Sequence, residues 1–151
     1  MTTEDAYVRL DFKLIDCTDM GDIVVCMYEQ DVVHFIAKSG AHVDMNTIYR
    51  VLNHVDSFKR KKYFLLSEFE EFADSDPEVR EWKVSEESDV YKHAEAIVIS
   101  SFAQKLVANF YLSINRPQRP TRVFTNLKDA EKWLRGYMED FQKSIRFVGN
   151  G

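Results

Sequence analysis

The stretch from Ala94 to Phe141 leaves this chain few folds to choose from. It begins with the apolar run Ala96-Ile97-Val98-Ile99, a strand covered on both faces. Ser101 and Gln104 then have capping-box spacing ahead of a helix, and Phe102, Leu106, Phe110 and Ile114 are expected to bury on one side of it, with Ala103 and Val107 beside them. Asn115-Arg116-Pro117 ends the helix, because a proline disfavours helical geometry in the residue before it. Val123-Phe124 is a further short strand. Thr125 or Asn126 caps a last helix, in which Ala130, Trp133, Leu134, Tyr137, Met138 and Phe141 keep the i, i+3, i+4, i+7 rhythm.

The upstream half has a different period. Between Tyr7 and Ile15, Val8, Leu10, Phe12 and Leu14 alternate with Arg9, Asp11 and Lys13, the pattern of a half-exposed strand. Turn residues Asp19, Gly21 and Asp22 lead to a second strand, Ile23–Tyr28, and a polar break leads to a third, Val32–Ala37. Asp44 caps a helix with Met45, Ile48, Leu52 and Val55 on its apolar face. Tyr63-Phe64-Leu65-Leu66 is a buried strand. Ser75 and Glu78, or Asp76 before Pro77, start a mostly polar helix anchored by Val79, Trp82 and Val90. The expected fold is α/β: a mixed sheet with antiparallel strands first, then alternating strands and four helices, the alternation arguing for parallel pairing.

At 151 residues the chain is expected to form one domain, with loose ends near residues 1–5 and 147–151. A chain of this size buries roughly 70% of its unfolded surface, enough for a core without metal or disulfides. The net charge of -5 argues against a general nucleic-acid binder, since phosphate neutralisation needs clustered cations. The charge is uneven: acidic residues dominate Ser67–Glu95 and basic ones Gln104–Arg146, which gives two solvated surfaces or one steering face. The two cysteines, Cys17 and Cys26, do not suggest a disulfide framework, and no apolar run reaches the ~18 residues of a membrane span. A reduced, cytoplasmic setting is the expectation.

Catalytic patterns are not evident. His34, His42, His54 and His93 lack metal-ligand spacing with each other or with the cysteines, and five glycines form no phosphate loop. Two places carry interest. Ser75-Asp76, Ser100-Ser101 and Thr125-Asn126 are strand-to-helix junctions, placed at the carboxyl edge of a parallel sheet, where open α/β sheets hold ligands and helix N-termini suit anions. Their plain role is capping. Arg116, Arg119 and Arg122 lie on the opposite edge, on a proline-stiffened loop suited to a carboxylate or phosphate, or simply solvated.

Ala96–Ser101, Asn109–Leu112, Ile114–Pro117, Pro120–Thr125 and Ala130–Leu134 together resemble the SpoIIAA-like (STAS/SEC14-type) family, and most closely its small uncharacterised members from Bacteroidetes bacteria. The resemblance implies a STAS-like α/β fold and a non-catalytic regulatory module with a protein partner. In such modules a serine in an Asp-Ser-Ser-Gly-like turn is phosphorylated. Asp74-Ser75-Asp76-Pro77 stands in that position here, with Asp76 and Pro77 in place of the second serine and the glycine. On this reading Ser75, Asp76, Ser101 and Thr125 mark the partner-facing edge, a homodimer is possible, and no cofactor is called for. The alternative is a small-ligand protein for a lipid or anion, using the helix N-termini or an apolar pocket under the final helix.

Overall fold

The computed structural model describes residues 2–149, with side chains described through Arg146. Of the loose ends expected near 1–5 and 147–151, Met1, Asn150 and Gly151 fall outside the described residues, while residues 3–5 and 147–149 are helical. Thr3–Tyr7 forms a short helix, α1, closed by a reciprocal Thr2–Asp5 capping box. Residues 8–13 then cross one face of the sheet.

Six strands form the main sheet: β1 (Leu14–Asp19), β2 (Ile23–Tyr28), β3 (Val32–Ala37), β5 (Tyr63–Phe69), β7 (Lys92–Val98) and β8 (Thr121–Phe124), in the order β1-β2-β3-β5-β7-β8. The first two pairings are antiparallel and the other three parallel, as expected of a leading meander followed by crossovers. A two-residue parallel pair, β4 (His42–Val43) with β6 (Asp74–Ser75), stands apart and was not anticipated. The four expected helices are present: α2 (Met45–Asp56), α3 (Pro77–Lys83), α5 (Phe102–Ile114) and α6 (Leu127–Gly149). A short α4 (Glu86–Asp89) follows α3, because the polar helix breaks at Val84; Val90, expected as an anchor, is exposed.

The segment expected as the first strand needs correction. Val8, Leu10 and Phe12 do pack on the core, but from above the sheet rather than within it, and only Leu14 and Ile15 of the segment join β1. Its backbone is held by α6 instead of a strand ladder: Asp11 N donates to Glu131 Oε1 at 2.7 Å, and Arg135 donates to the Asp11 carbonyl while stacking 3.9 Å over Phe12. Alternation records which side chains are buried; it does not say whether the backbone pairs with a strand. The cysteine reading is also corrected. Cys17 and Cys26 are direct register partners of β1 and β2 and form a disulfide, because an antiparallel ladder brings opposed residues to its closest separation.

The strands alternate between two cores. On one face Val24, Tyr28, Ile36, Leu66, Ala94, Ala96 and Val98 meet Ala130, Leu134 and Met138 of α6. On the other, Ile23, Val25, Met27, Phe35 and Tyr63 meet Ile48 and Val55 of α2 and Val79 of α3. That second cover ends near β5. Over β7 and β8 its place is taken by α5, and here the expectation fails. Phe102, Leu106, Val107, Phe110 and Ile114 are 57–70% exposed, and every residue of α5 keeps at least partial exposure. The helix is apolar on most of its circumference, so its sequence does not select one face for burial, and it stands off the sheet.

Candidate functional site

The space between α5, α3 and β7 is a cleft of about 710 Å³, within the usual range for small-molecule sites. Its apolar walls are Ile97 from β7 and Ile99 just past its end, Ala103, Val107, Ala108 and Phe110 from α5, and Pro77 and Val84 from the α3 side. Lining residues extend from Ala103 to Ile114, so the cleft follows α5 for about 16 Å at 1.5 Å per residue. This cleft lies under α5, not in the place expected under the final helix, where Ala130 and Leu134 are fully buried.

A polar network forms the floor. Glu95 points toward the cleft from β7 yet is only 1% exposed. Its carboxylate takes Lys92 Nζ at 3.0 Å, Ser67 Oγ at 2.8 Å, and a close contact from Lys83 Nζ. Lys92 Nζ also donates to the Lys83 carbonyl at 2.8 Å, which ties the end of α3 to the sheet. Burial opposes charge on Glu95, but the ammonium groups of Lys83 and Lys92, with the Ser67 hydroxyl, outweigh it and hold the carboxyl well below the usual carboxylate range. Two cations thus meet one anion. Lys83 is the member that reaches the opening: its side chain keeps 18% exposure, against 1% for Lys92 and 2% for Glu95. On the α5 wall, Tyr111 Oη is buried without a hydrogen-bond partner among the described residues. Burial raises its pKa, with Glu81 adding to the effect and Arg80 opposing it, so the hydroxyl stays a neutral donor.

The residues singled out from sequence are distributed around this cleft. Ser75 lies in β6 and lines it, its carbonyl accepting Arg80 Nη1 at 2.5 Å. The expected Ser75–Glu78 capping box does not form. Asp76 is the N-cap residue of α3, but its carboxylate turns to His42 Nε2 at 2.6 Å, while His42 Nδ1 meets Asp74 at 2.6 Å. Those two hydrogen bonds, Asp74 first, raise the His42 pKa. Ser101 caps α5, accepting from Gln104 N at 3.1 Å, and Gln104 lines the cleft. Thr125 precedes α6, whose cap is Asn126, accepting from Asp129 N at 2.9 Å. Ser75 belongs to the separate β4–β6 pair, while Ser101 and Thr125 follow β7 and β8 of the main sheet, and Ser75 alone of the three lines the cleft. At the other edge, Arg116 is exposed, Arg119 is half-buried and Arg122 is a β8 residue over the Phe124 ring at 5.2 Å. Pro117 and Thr121 of that loop close the far end of the cleft.

Lys83, Glu95 and Lys92 were missed from sequence. One signal was available: Glu95 sits between Ala94 and Ala96 in an apolar run, and a carboxylate inside a doubly covered strand requires a partner.

Among solved structures, the chain is similar to an uncharacterised protein of the DUF3478 family with a SpoIIAA-like fold from Shewanella loihica PV-4. The TM-score is 0.51 at 12% identity, covering 83% of this chain and 97% of that one. This establishes a SpoIIAA-like fold. No curated protein sequence gives a significant match. A family model described as "Domain of unknown function (DUF7793)" matches residues 26–138, a span that begins in β2, ends in α6 and contains the whole cleft. The chain therefore belongs to the DUF7793 family.

Proposed function

We propose that this protein is a non-catalytic binding module whose cleft under α5 takes an elongated apolar small molecule. The observation that carries the reading is the pairing of a 710 Å³ apolar cleft with a helix that leaves five large apolar side chains more than half exposed. Exposed apolar surface of this extent marks a site of contact. Glu95, the buried carboxylate at the floor, is held ionised by two lysines, which suits a fixed electrostatic element better than a proton carrier. The neutral fluorescent probe N-phenyl-1-naphthylamine tests the reading. It is expected to bind wild type with enhanced emission, and Ala108→Trp, which fills the cleft from α5, is expected to abolish binding. Absence of binding, or equal binding by the variant, contradicts it.

A second reading, a regulatory module docking a protein partner or a second copy, draws on Phe102 and Leu106. Both are exposed on α5 and lie outside the cleft lining. Sedimentation of wild type and Leu106→Asp separates the readings: a concentration-dependent dimer lost in the variant supports docking, and an unchanged monomer counts against a homodimer on this face. A cytoplasmic setting remains part of the proposal. Among the described residues no helix is long and apolar enough to cross a membrane. The Cys17–Cys26 bond weighs against a reducing compartment. Two reactive thiols in protein purified without reductant support the cytoplasm, and none contradicts it.

A further inference from the structure

We propose that the natural ligand class is a single-chain amphiphile with an anionic head, a fatty carboxylate, whose head meets Lys83 and whose chain lies along α5. This rests on the apolar-ligand reading and specifies its ligand. The first argument is charge. At the floor, Lys83 and Lys92 share the single carboxylate of Glu95, which among the described residues leaves one positive charge without a partner in direct contact. Lys83, the exposed member, carries that excess into the cleft, with its Nζ 5.9 Å from the centre of the Phe69 ring that also lines it. In a site with apolar walls such a charge acts through a low effective dielectric, so it discriminates strongly between head groups. A carboxylate completes the pairing, a neutral head leaves the excess in place, and an ammonium adds like charge.

The surroundings agree. Arg80, one turn before Lys83 on α3, lines the same wall. Tyr111 Oη, near Arg80 and Glu81, is an unused donor on the facing helix. The acidic lining residues other than Glu95 are Asp74 and Glu81. Asp74 is already engaged by His42, and both side chains lie at the exposed rim, where water and salt screen them. Shape is the second argument. A cleft that runs about 16 Å along α5, with Ile97, Ile99, Val107 and Ile114 among its lining residues, suits an extended chain.

The test is displacement of N-phenyl-1-naphthylamine by dodecanoate, dodecanol and dodecylamine below their micelle limits, at a pH where the carboxylate is ionised. Dodecanoate is expected to displace the probe about tenfold or more tightly than dodecanol, with dodecylamine weakest. Lys83→Met, which leaves Glu95 paired with Lys92 and Ser67, is expected to remove the preference, and Lys83→Arg to restore it. Equal displacement by acid and alcohol, or a preference that survives Lys83→Met, overturns the inference while the apolar-ligand reading stands. If the probe never binds, the reading itself fails. A measurement without variants covers the case of a misfolded mutant: carbodiimide coupling of bound dodecanoate is expected to acylate Lys83 Nζ, and acylation confined to surface lysines overturns the proposal.

Discussion

Helices α5 and α6 follow neighbouring parallel strands, the first apolar on most of its circumference and the second along one stripe, and they end in opposite situations. Below α6, β7 presents Ala94, Ala96 and Val98, small or branched groups against which Ala130, Leu134 and Met138 close completely. Below α5, the same strand presents Glu95 and Ile97 from its other face, with Ile99 just past its end. Glu95 brings Lys83, Lys92 and Ser67 with it, and a surface holding a fixed ion network cannot be sealed by an apolar helix without stranding charge. One face of β7 is therefore core, and the other is the floor of a site.

The comparison can be broken at several points. The largest effect is expected at the floor. Glu95→Gln leaves two ammonium groups without their anion, and urea unfolding should show a loss of about 4 kcal/mol; a change near zero would mean that the network is not the organising element under α5. Next come the two helices themselves. Leu134→Ala should cost about 3 kcal/mol as a buried leucine truncation. Leu106→Ala, on a side chain 57% exposed, should stay within about 0.5 kcal/mol. Equal costs would show that α5 packs as α6 does.

Acid should act through the same floor. Glu95 has a folded pKa below its unfolded value, so its contribution is present above the ordinary value of 4.5 and lost as pH falls through the lowered one. Glu68 behaves alike: burial opposes its charge, but His34 at 2.8 Å and Arg9 at 3.0 Å and 3.2 Å outweigh it. Stability measured against pH should therefore decline below about 4.5, in the usual carboxylate range, and Glu68→Gln should flatten that decline. The smallest effect is expected at the cleft rim. His42 has a raised folded pKa, so its bridge between Asp74 and Asp76 is complete below the ordinary value of 6.5 and is lost as pH rises through the raised one. Because the bridge is fully open to solvent, NMR titration of the His42 ring should register it while global stability barely moves.

Much of the architecture was legible because strands and caps are local. Ile23–Tyr28 and Val32–Ala37 emerge with the expected ends, and Asp44, Ser101 and Asn126 cap as their side chains allow. What was not legible depends on which surface an element finds. The apolar positions of α5 imply burial as those of α6 do, and the one local hint to the contrary, Glu95 between Ala94 and Ala96, does not name the distant partners that complete its ion network. The register pairing Cys17 with Cys26, and the loop in which Leu10 lies on the sheet instead of in it, depend equally on distant partners. Of the candidate site residues, Ser75 reached the cleft through β6, whereas Thr125 and Arg122 were drawn into the α6 turn and the β8 strand.

Hydrogen exchange, read along the two helices in one experiment, tests the central claim most directly. In the free protein the amides of Phe102–Ile114 should exchange far faster than those of the α6 core around Leu134, because little apolar burial holds α5 closed. Added dodecanoate should slow α5 selectively and leave α6 unchanged. Equal protection of both helices in the free protein, or an α5 indifferent to dodecanoate, would contradict the account.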